Sequence, residues 1–482
     1  MDLIKQGDKK LGRKFTTKQK ALKINLNQNI YGSFAEIGAG QETVRHFFLA
    51  GGASGTIAKA ISAYDKIFSD EIYGVEDDNR YVTEKRLKKM LKHETDLLEE
   101  RLLGDDVPDR LYFSFANTVA TIDFFKKYKG HGWIGVRFQT NPNEAYNEII
   151  LHTKFKENNA THQQYTIGVM GTNLVYAAYY LHHDPKELML SLYDSLDRDQ
   201  IEIDMINFSG PVFEGIDNRL MSLYLVKYNM TNAVMFSPEG KSLLPAQELY
   251  KKNVLFMRGS FRPVTKVNMD LLNKSKEIFF SDEEINPENS VVSFEITIHN
   301  LRSLNENSNE DVNDLDFLNR AELLCALGHN VMITGFREYY KFVDFISTQT
   351  KKKIRLAMGA YNMMMIFDDQ YYKTVDGGIF EALGRLMNRK TKFYLYPLKN
   401  HDTGEIICGN SVNIVEEYSF LFEFFKKQGK FIEIENYDAS IMDVLTRDVY
   451  EMIQQNKTGW EDMLPEGIPD LIKQKKLFGY QA

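Results

Sequence analysis

Residues 37–70 read IGAGQETVRHFFLAGGASGTIAKAISAYDKIFSD and carry the sharpest hydrophobic pattern in the chain. Apolar side chains recur at helical spacing over 44–48 and again over 57–68, which predicts two helices. The intervening GGASGT (51–56) predicts a tight corner in which glycines end the first helix and Ser54 caps the second. The same backbone N–H groups could instead hold a phosphate, although no lysine follows them as in a P-loop.

The composition is that of an ordinary globular protein of several domains. The chain has 482 residues, and its 43% hydrophobic content is enough to fill sizeable cores. No run of 18 apolar residues occurs and no apolar stretch follows the N-terminal charges, so we expect a cytoplasmic protein with no membrane partner. Cys325 and Cys408 lack metal or redox spacing, and no histidine stands in a HExxH arrangement. The sequence therefore predicts neither a metal nor a cofactor.

The N-terminus differs in charge from the rest of the chain. Residues 1–25 hold eight Lys or Arg and two Asp, a net charge of +6; the whole chain carries −8, which leaves −14 for the remainder. A basic arm can bind nucleic acid, but this one contains a single aromatic residue, Phe15, so nucleic acid is not favoured. We expect the arm to lie at a subunit contact of a homo-oligomer, with apolar anchors at Leu3, Ile4, Leu11, Phe15, Leu22 and Ile24.

The chain as a whole predicts an α/β and α+β protein in four parts. These are a basic N-terminal arm and helical region at 1–104, a mixed and mainly antiparallel α+β domain at 105–302, an acidic linker at 303–316, and a doubly wound, Rossmann-like α/β domain at 317–482. The linker, SLNENSNEDVNDLD, holds five carboxylates and no Lys or Arg.

Short alternating or β-branched segments predict the strands. In the middle domain they are Leu111–Ala116, Trp133–Phe138, Ile149–Phe155, Ile201–Ile206, Val254–Met257 and Val291–Ile298. In the last domain they alternate with helical segments and are Val331–Thr334, Ile354–Met358, Lys392–Tyr396 and Phe431–Ile434.

Glycines follow two of the predicted C-terminal strands, at Thr334-Gly335 and at Met358-Gly359. Doubly wound sheets bind ligands beyond the carboxyl ends of their strands, and glycine lets a ligand approach the backbone. A further pair, Gly377-Gly378, opens a predicted helix and could present N–H groups to a phosphate. The alternative is that these glycines only form tight strand-to-helix turns, and no GxGxxG is present.

The segment RGSFR (258–262) follows a predicted strand and is the best candidate site. The guanidinium groups of Arg258 and Arg262 could bind a phosphate or carboxylate, with Ser260 as an auxiliary donor, or they could serve the fold. His131 is a candidate acid–base group. No nucleophile–base pair is recognisable, so no catalytic residue is predicted.

Four segments resemble an uncharacterised family of cytoplasmic bacterial proteins of this length: YGSFAEIGAGQETVRHFFLAGGASGTIAKAISAYD, DNRLMSLYLV, RGSFRPVT and GGIFEALGRL. Members of that family are sometimes labelled nicotinate or nicotinamide mononucleotide adenylyltransferases. The resemblance covers nearly the whole chain and implies nucleotidyl transfer to a pyridine nucleotide. The (H/T)xGH and ISSTxxR motifs of those transferases are not present here.

Two functions of different classes follow. The first is a protein that binds a nucleotide or other phosphorylated metabolite. If this protein is an enzyme, it would act on that ligand mainly by positioning and electrostatic stabilisation. The second is a self-assembling scaffold that forms a cytoplasmic homo-oligomer or filament. Its 12% aromatic residues, including 26 Tyr, suit large interfaces but equally suit a large core.

Overall fold

The computed structural model describes residues 14–76, 80–102, 110–301, 314–400, 403–408 and 414–481. The chain forms two compact units, Met1–Thr231 and Asn232–Ala482, which we call the N-terminal unit and the C-terminal unit. Among the described helices, none combines the length and the apolar character needed to cross a membrane. The protein is of mixed α/β class.

Among its described residues, the N-terminal unit contains six strands and seven α-helices. The strands are β1 (Ile30–Gly38), β2 (Ile57–Ala63), β3 (Leu111–Ala120), β4 (His131–Phe138), β5 (Asn147–Phe155) and β6 (Ile201–Ser209). The helices are α1 (Thr17–Asn25), α2 (Glu42–Ala50), α3 (Lys66–Tyr73), α4 (Glu84–Leu102), α5 (Ala160–Tyr180), α6 (Pro185–Ser191) and α7 (Asn218–Lys227).

One mixed sheet organises this unit, in the order β2-β1-β3-β4-β5-β6. Strand β1 pairs in parallel with β2 and β3, whereas β3 to β6 pair antiparallel. A Cβ added to Gly135 of β4 would meet Leu87 and Leu91 of α4, and one added to Gly171 of α5 would meet Phe115 of β3. Because Gly135 pairs with Ala116, next to Phe115, these contacts place α4 and α5 on opposite faces of the sheet.

The helix predicted over 57–68 is wrong. Residues 57–63 form β2, whose half-buried Ile57, Lys59 and Ile61 alternate with exposed residues, and α3 begins only at Lys66. Small alanines at positions 58 and 60 fit either period, so pairing with β1 decided the outcome. Ser54 does not cap a helix, because Ala53–Gly55 is a short 3₁₀ turn without a side-chain cap. The preceding helix is confirmed as α2.

The C-terminal unit contains ten strands and nine α-helices among its described residues. The strands are β7 (Ala233–Phe236), β8 (Ser242–Leu243), β9 (Asn253–Arg258), β10 (Ser290–Thr297), β11 (Asn330–Thr334), β12 (Ile354–Gly359), β13 (Thr391–Tyr396), β14 (Leu398–Lys399), β15 (Ile406–Ile407) and β16 (Phe431–Glu433). The helices are α8 (Pro245–Glu248), α9 (Lys266–Ser281), α10 (Asp314–Ala326), α11 (Tyr339–Gln349), α12 (Ala360–Ile366), α13 (Gly378–Leu386), α14 (Glu416–Lys427), α15 (Thr446–Gln454) and α16 (Ile468–Lys475).

Eight of these strands form one sheet in the order β16-β13-β12-β9-β10-β11-β7-β8. The six from β16 to β11 are parallel, whereas β7 and β8 are antiparallel additions at one edge. From β9 the chain moves outward through β10 and β11, then returns to the other side of β9 for β12, β13 and β16. This is the strand order of a doubly wound Rossmann sheet, so the predicted fold class is confirmed.

The domain boundaries differ from those predicted. Strands β1 and β2 share a sheet with β3 to β6, so the chain does not divide near residue 104. Strands β9 and β10, assigned by sequence to the antiparallel middle domain, are central parallel strands of the C-terminal sheet. The predicted acidic linker at 303–316 lies outside the described residues up to 313, and Asp314 and Asp316 already belong to α10.

The predicted arm is partly an integral helix. Residues 1–13, with three of its six anchors, lie outside the described residues, whereas α1 begins with a capping box formed by Thr16 and Gln19. The Lys20 ammonium group is buried and donates to Asn173 at 2.9 Å and to Asp194 at 2.7 Å. Ile24 is buried as well, so α1 packs within the N-terminal unit. The subunit contact stays a prediction.

Candidate functional site

The C-terminal unit has a crevice where its strand order reverses. Strand β9 leads to α9 on one side of the sheet, and the neighbouring strand β12 leads to α12. The turns that follow the two strands diverge and leave a space between them, as expected at the topological switch point of such a sheet. Arg258, Gly259 and Ser260 line this crevice at the end of β9, and Gly359 and Ala360 line it at the end of β12.

The crevice has a volume of about 720 Å³, within the usual range for small-molecule sites. Further walls come from the start of α9, the end of β10, the turn before α11, and the end of β13. Its aromatic content is high, and the tyrosines that line it are Tyr339, Tyr361, Tyr371, Tyr372 and Tyr396.

Arg258 lines the crevice, but its charge is already paired with a carboxylate. Its guanidinium group donates to both carboxylate oxygens of Glu295 on the adjacent strand β10 and, at 3.1 Å, to the carbonyl oxygen of Arg337. The Thr334 hydroxyl donates to the same carboxylate. Burial by itself lowers the pKa of Arg258, but the Glu295 charge more than offsets this effect, so the pKa lies above its ordinary value. Arg258, Glu295 and Thr334 therefore form a closed buried network.

Arg262 does not join Arg258. The chain turns at Phe261, which has φ of 46°, and the Arg262 guanidinium group contacts Asp316 at 2.8 Å. It also donates to the Tyr450 hydroxyl at 2.9 Å and lies over the ring of that residue. The predicted clamp of two arginines is corrected on this point, since each guanidinium group has its own partners and only Arg258 lines the crevice.

The predicted glycines also separate. Of these, only Gly359 lines the crevice. The Gly335 N–H donates to the Asn232 carbonyl oxygen, the Gly377 N–H to the Glu381 carboxylate, and the Gly378 N–H to the Val375 carbonyl oxygen, with distances of 2.9 to 3.1 Å. Because these N–H groups are already bonded, the expectation that Gly377 and Gly378 present them to a phosphate is corrected. These glycines serve turns.

The sequence prediction missed the cation that is available. Arg337 lies in the turn between β11 and α11, lines the crevice and is exposed. Its guanidinium carbon lies 5.5 Å from the centre of the Tyr371 ring. No carboxylate among the described residues pairs with it, since the adjacent Glu338 is engaged with Lys341 at 2.9 Å. The signal was an arginine three residues after a predicted strand and two residues after Gly335, the glycine that was chosen as a candidate.

The tyrosines differ in their hydrogen bonding. The hydroxyl groups of Tyr372 and Tyr396 donate to the Ile366 carbonyl oxygen at 2.7 Å and to Asp270 at 2.6 Å. Burial raises the pKa of Tyr339 to about 12, and its ring lies 4.5 Å from the Arg258 guanidinium carbon. The Tyr361 side chain is exposed, and its hydroxyl group forms no hydrogen bond to another described residue. The first three thus fix the walls, and Tyr361 leaves a hydroxyl group and a ring face for a ligand.

A shallower depression of about 810 Å³ lies on α4 in the N-terminal unit and is rich in lysines. Those lysines are paired along the surface: Lys88 with Glu84, Lys89 with Glu76 and Lys92 with Asp96. Because its charges are balanced in this way, the depression lacks the unpaired cation found in the crevice.

His131 belongs to a chain of polar groups across the N-terminal sheet. Its Nδ1 lies 3.2 Å from Nε2 of His152, whose Nδ1 contacts Asp204, and Lys154 closes the chain on Asp204 at 2.6 Å. Burial lowers the pKa of His131 to about 4. Across the described parts of the chain, no three His, Cys, Asp or Glu side chains are grouped in a way that could hold a metal.

No protein-family model matches the sequence, and no curated protein matches it. Among solved structures, the competence/damage-inducible protein CihA from Agrobacterium tumefaciens is 12% identical with a TM-score of 0.25, over 35% of this chain and 98% of that one. A competence or damage-inducible protein from Enterobacter asburiae is 11% identical with a TM-score of 0.25, over 34% and 98%. A CinA superfamily protein from Enterobacter cloacae is 10% identical with a TM-score of 0.25, over 35% of this chain and 92% of that one. At these values the similarity carries no functional argument.

Proposed function

We propose that the C-terminal unit binds a nucleotide or other phosphorylated metabolite in the crevice between β9 and β12. The observation that carries the proposal is Arg337, an exposed guanidinium group with no carboxylate partner among the described residues, at the edge of a crevice at the switch point. An arginine fork matches the geometry of a phosphate and binds it through charge-assisted hydrogen bonds.

The other lining groups favour a ligand with an aromatic portion. Tyr361 and Tyr371 present rings to the crevice, and such faces suit the stacking of a base. The Asn362 amide makes no hydrogen bond to another described residue, so it is available to a ring nitrogen or a ribose hydroxyl. The volume of about 720 Å³ accommodates a mononucleotide. A phosphorylated aromatic metabolite therefore matches both the charge and the surface.

Titration calorimetry with matched nucleosides and nucleotides tests the proposal. The sequence resemblance makes nicotinamide and nicotinate mononucleotides the first probes, followed by adenosine monophosphate and its nucleoside. We expect measurable binding of a nucleotide and at least about tenfold weaker binding of the corresponding nucleoside, which lacks the charge that Arg337 would meet. Absence of binding by every nucleotide at millimolar concentration would leave the scaffold function as the better account.

Arg337→Ala is the decisive variant, because its side chain is exposed and its removal leaves no buried partner unpaired. We expect nucleotide affinity to fall about 10- to 100-fold, while nucleoside affinity stays unchanged. Arg389→Ala is the matched control: Arg389 is exposed in the turn before β13, at the opposite end of the sheet. Equal losses in both variants would show that the effect is one of overall charge.

Gly359 allows an independent steric test. A Cβ added there would meet no atom within 4 Å, and the residue has an ordinary φ of −75°, so larger side chains fit without backbone strain. Gly359→Leu should therefore reduce ligand affinity with little change in unfolding free energy, whereas Gly359→Ala should bind almost as the wild type. Undiminished binding by the leucine variant would place the ligand elsewhere.

A further inference from the structure

Two exposed apolar segments lie at one end of the N-terminal sheet. Because β1 is parallel to both β2 and β3, the carboxyl ends of these three strands share one end of the sheet. The turn after β2 and the first residues of α3 expose three large side chains, and the loop between β3 and β4 exposes three more. We call this set the apolar rim: Tyr64, Ile67, Phe68, Phe124, Phe125 and Tyr128.

The β3–β4 loop is the most prominent part of the apolar rim. Phe124 and Phe125 are 93% and 85% exposed, and their rings contact each other edge to face at 5.4 Å. Isolated exposed apolar residues are common, but a cluster of large ones marks an interaction surface.

The loop is a defined turn. The Asp123 carboxylate accepts hydrogen bonds from the Phe125 N–H at 3.2 Å and the Tyr128 N–H at 2.6 Å. The Gln163 side chain accepts one from the Ile122 N–H at 2.7 Å. These bonds turn the single carboxylate of the loop toward its own backbone and keep the rings of the two phenylalanines outside the fold.

Lysines alternate with the rings in this loop. Residues 124–129 read FFKKYK, so Lys126, Lys127 and Lys129 stand among three aromatic side chains. In the core of a protein–protein interface, lysine is depleted because its charge must be desolvated. At the boundary of a bilayer, by contrast, aromatic rings lie at the headgroup level while lysine ammonium groups reach the lipid phosphates. The interleaving thus favours a lipid surface over a second copy of this chain.

A single-stranded nucleic acid is the other polyanion to consider. Proteins that bind it use a basic groove along which successive bases stack on open ring faces. Here the two phenylalanines lie edge to face on a projecting loop, and Ile67 of the same rim offers no ring at all. The geometry is therefore less suited to stacking than to shallow insertion.

We propose that the apolar rim docks the N-terminal unit on the surface of an anionic lipid bilayer. Phe124 and Phe125 enter the boundary between headgroups and acyl chains, and Lys126, Lys127 and Lys129 lie against lipid phosphates and carboxylates. This peripheral contact differs from the sequence-based expectation of no membrane partner, which rested on the lack of a spanning segment. It is independent of the ligand proposed for the crevice.

Co-sedimentation with vesicles of phosphatidylcholine, with and without phosphatidylserine, tests the proposal. We expect the wild type to bind the mixed vesicles and to bind pure phosphatidylcholine at least about tenfold more weakly, since each lysine near an anionic surface contributes about a fivefold gain. Raising the salt concentration should remove most of that difference. A wild type that does not bind phosphatidylserine vesicles overturns the proposal.

Two loop variants and one control separate the contributions. Phe124→Ser/Phe125→Ser should reduce binding to mixed vesicles at least about tenfold, and Lys127→Gln/Lys129→Gln should reduce it about 25-fold at low salt. Phe420→Ser on α14 removes an exposed ring, 78% accessible, from the other unit and should leave vesicle binding unchanged. Since all these side chains are exposed, the variants should fold normally, which circular dichroism checks.

Three further results would overturn the proposal. The first is that the Phe124→Ser/Phe125→Ser variant binds mixed vesicles as strongly as the wild type does. The second is binding of a poly-uridine RNA that requires the two phenylalanines, which would assign the rim to nucleic acid. The third is self-association without lipid that disappears in the same variant, which would assign it to a second copy of the chain.

Discussion

Glu36 and Glu295 are both buried near the carboxyl end of a parallel strand, one in each unit, yet they are satisfied in different ways. Glu295 on β10 accepts hydrogen bonds from a guanidinium group, that of Arg258, and from the Thr334 hydroxyl. Glu36 on β1 accepts from the amides of Thr43 and Val44 at the start of α2, at 3.0 and 3.4 Å, and from Asn117 at 3.1 Å.

This difference shows that a strand end is a potential ligand site only where some of its polar groups have no hydrogen-bond or ion-pair partner within the protein. In the N-terminal unit, Glu36 occupies the N-terminus of α2, where an external anion would otherwise bind. In the C-terminal unit, Glu295 forms an ion pair with the buried Arg258. The exposed Arg337 nearby has no carboxylate partner among the described residues. The first strand end is closed by its own side chain, and the second stays open.

The largest effect should come from removing the Glu295 carboxylate. Glu295→Ala leaves the buried Arg258 charge without its partner and should lower the free energy of unfolding by about 3–5 kcal/mol. Urea denaturation measures this loss. The matched control is Glu381→Ala on α13, whose pair with Arg385 at 3.3 Å is exposed and should cost less than about 1 kcal/mol. Similar losses in the two variants would contradict a closed network around Glu295.

Glu36 should make the free energy of unfolding depend on pH. Burial raises its pKa to about 7 from 4.5, although hydrogen bonds from Thr43, Val44 and Asn117 act in the opposite direction. The native state therefore holds this proton more tightly than the unfolded chain does. Its contribution to stability is complete below pH 4.5 and is lost as the pH rises through about 7, and the loss amounts to about 3 kcal/mol.

Glu36→Gln should remove that pH dependence, because an amide does not titrate between pH 4.5 and 7. The new NH₂ group replaces the oxygen that accepts only the long bond from Val44, so the variant should fold. Urea denaturation at pH 5 and pH 8 gives the difference in unfolding free energy for both proteins. If wild type and variant lose equal stability between these pH values, another group is responsible.

The six parallel strands of the C-terminal sheet were predictable because their local signal is strong, whereas the antiparallel edge strands β7 and β8 were not predicted. Fully buried parallel strands require continuous apolar runs, and the sequence shows such a run directly at Val254–Met257 within β9. The edge strand β2 was not predictable from local sequence, because its residues are at most half buried up to Ser62 and its alanines fit a helical period as well. Pairing with β1, a tertiary interaction, determined its structure.

The candidate site was predictable in place but not in composition. The strand order puts Arg258, Ser260 and Gly359 at one crevice, and all three were sequence candidates. Which arginine is available depends on partners distant in sequence: Glu295 for Arg258 and Tyr450 for Arg262. Local patterns do not report such pairings, so an unpaired cation, Arg337, was overlooked in favour of two paired ones.

Arg262→Lys should separate the roles of the arginines with a smaller effect. Lysine can keep an ion pair with Asp316 but cannot reproduce the planar contact over the Tyr450 ring, so we expect a loss of about 1–2 kcal/mol of stability. Nucleotide affinity should stay unchanged, in contrast to Arg337→Ala. A loss of affinity without a loss of stability would return Arg262 to the ligand site.

The smallest effect should be that of Ser54→Ala in the glycine-rich turn of the N-terminal unit. The Ser54 side chain is exposed and caps no helix, so the change should alter stability by less than about 0.5 kcal/mol. Thr56→Val is the matched comparison, because the buried Thr56 hydroxyl donates to the Asn25 carbonyl oxygen at 3.2 Å and its loss should cost about 1 kcal/mol. Neither change should affect nucleotide binding, because this turn belongs to the unit whose strand end Glu36 already closes. Thermal denaturation and calorimetry on the same two variants measure both properties, and a fall in nucleotide affinity in Ser54→Ala at unchanged stability would show that the glycine-rich turn itself binds the phosphate.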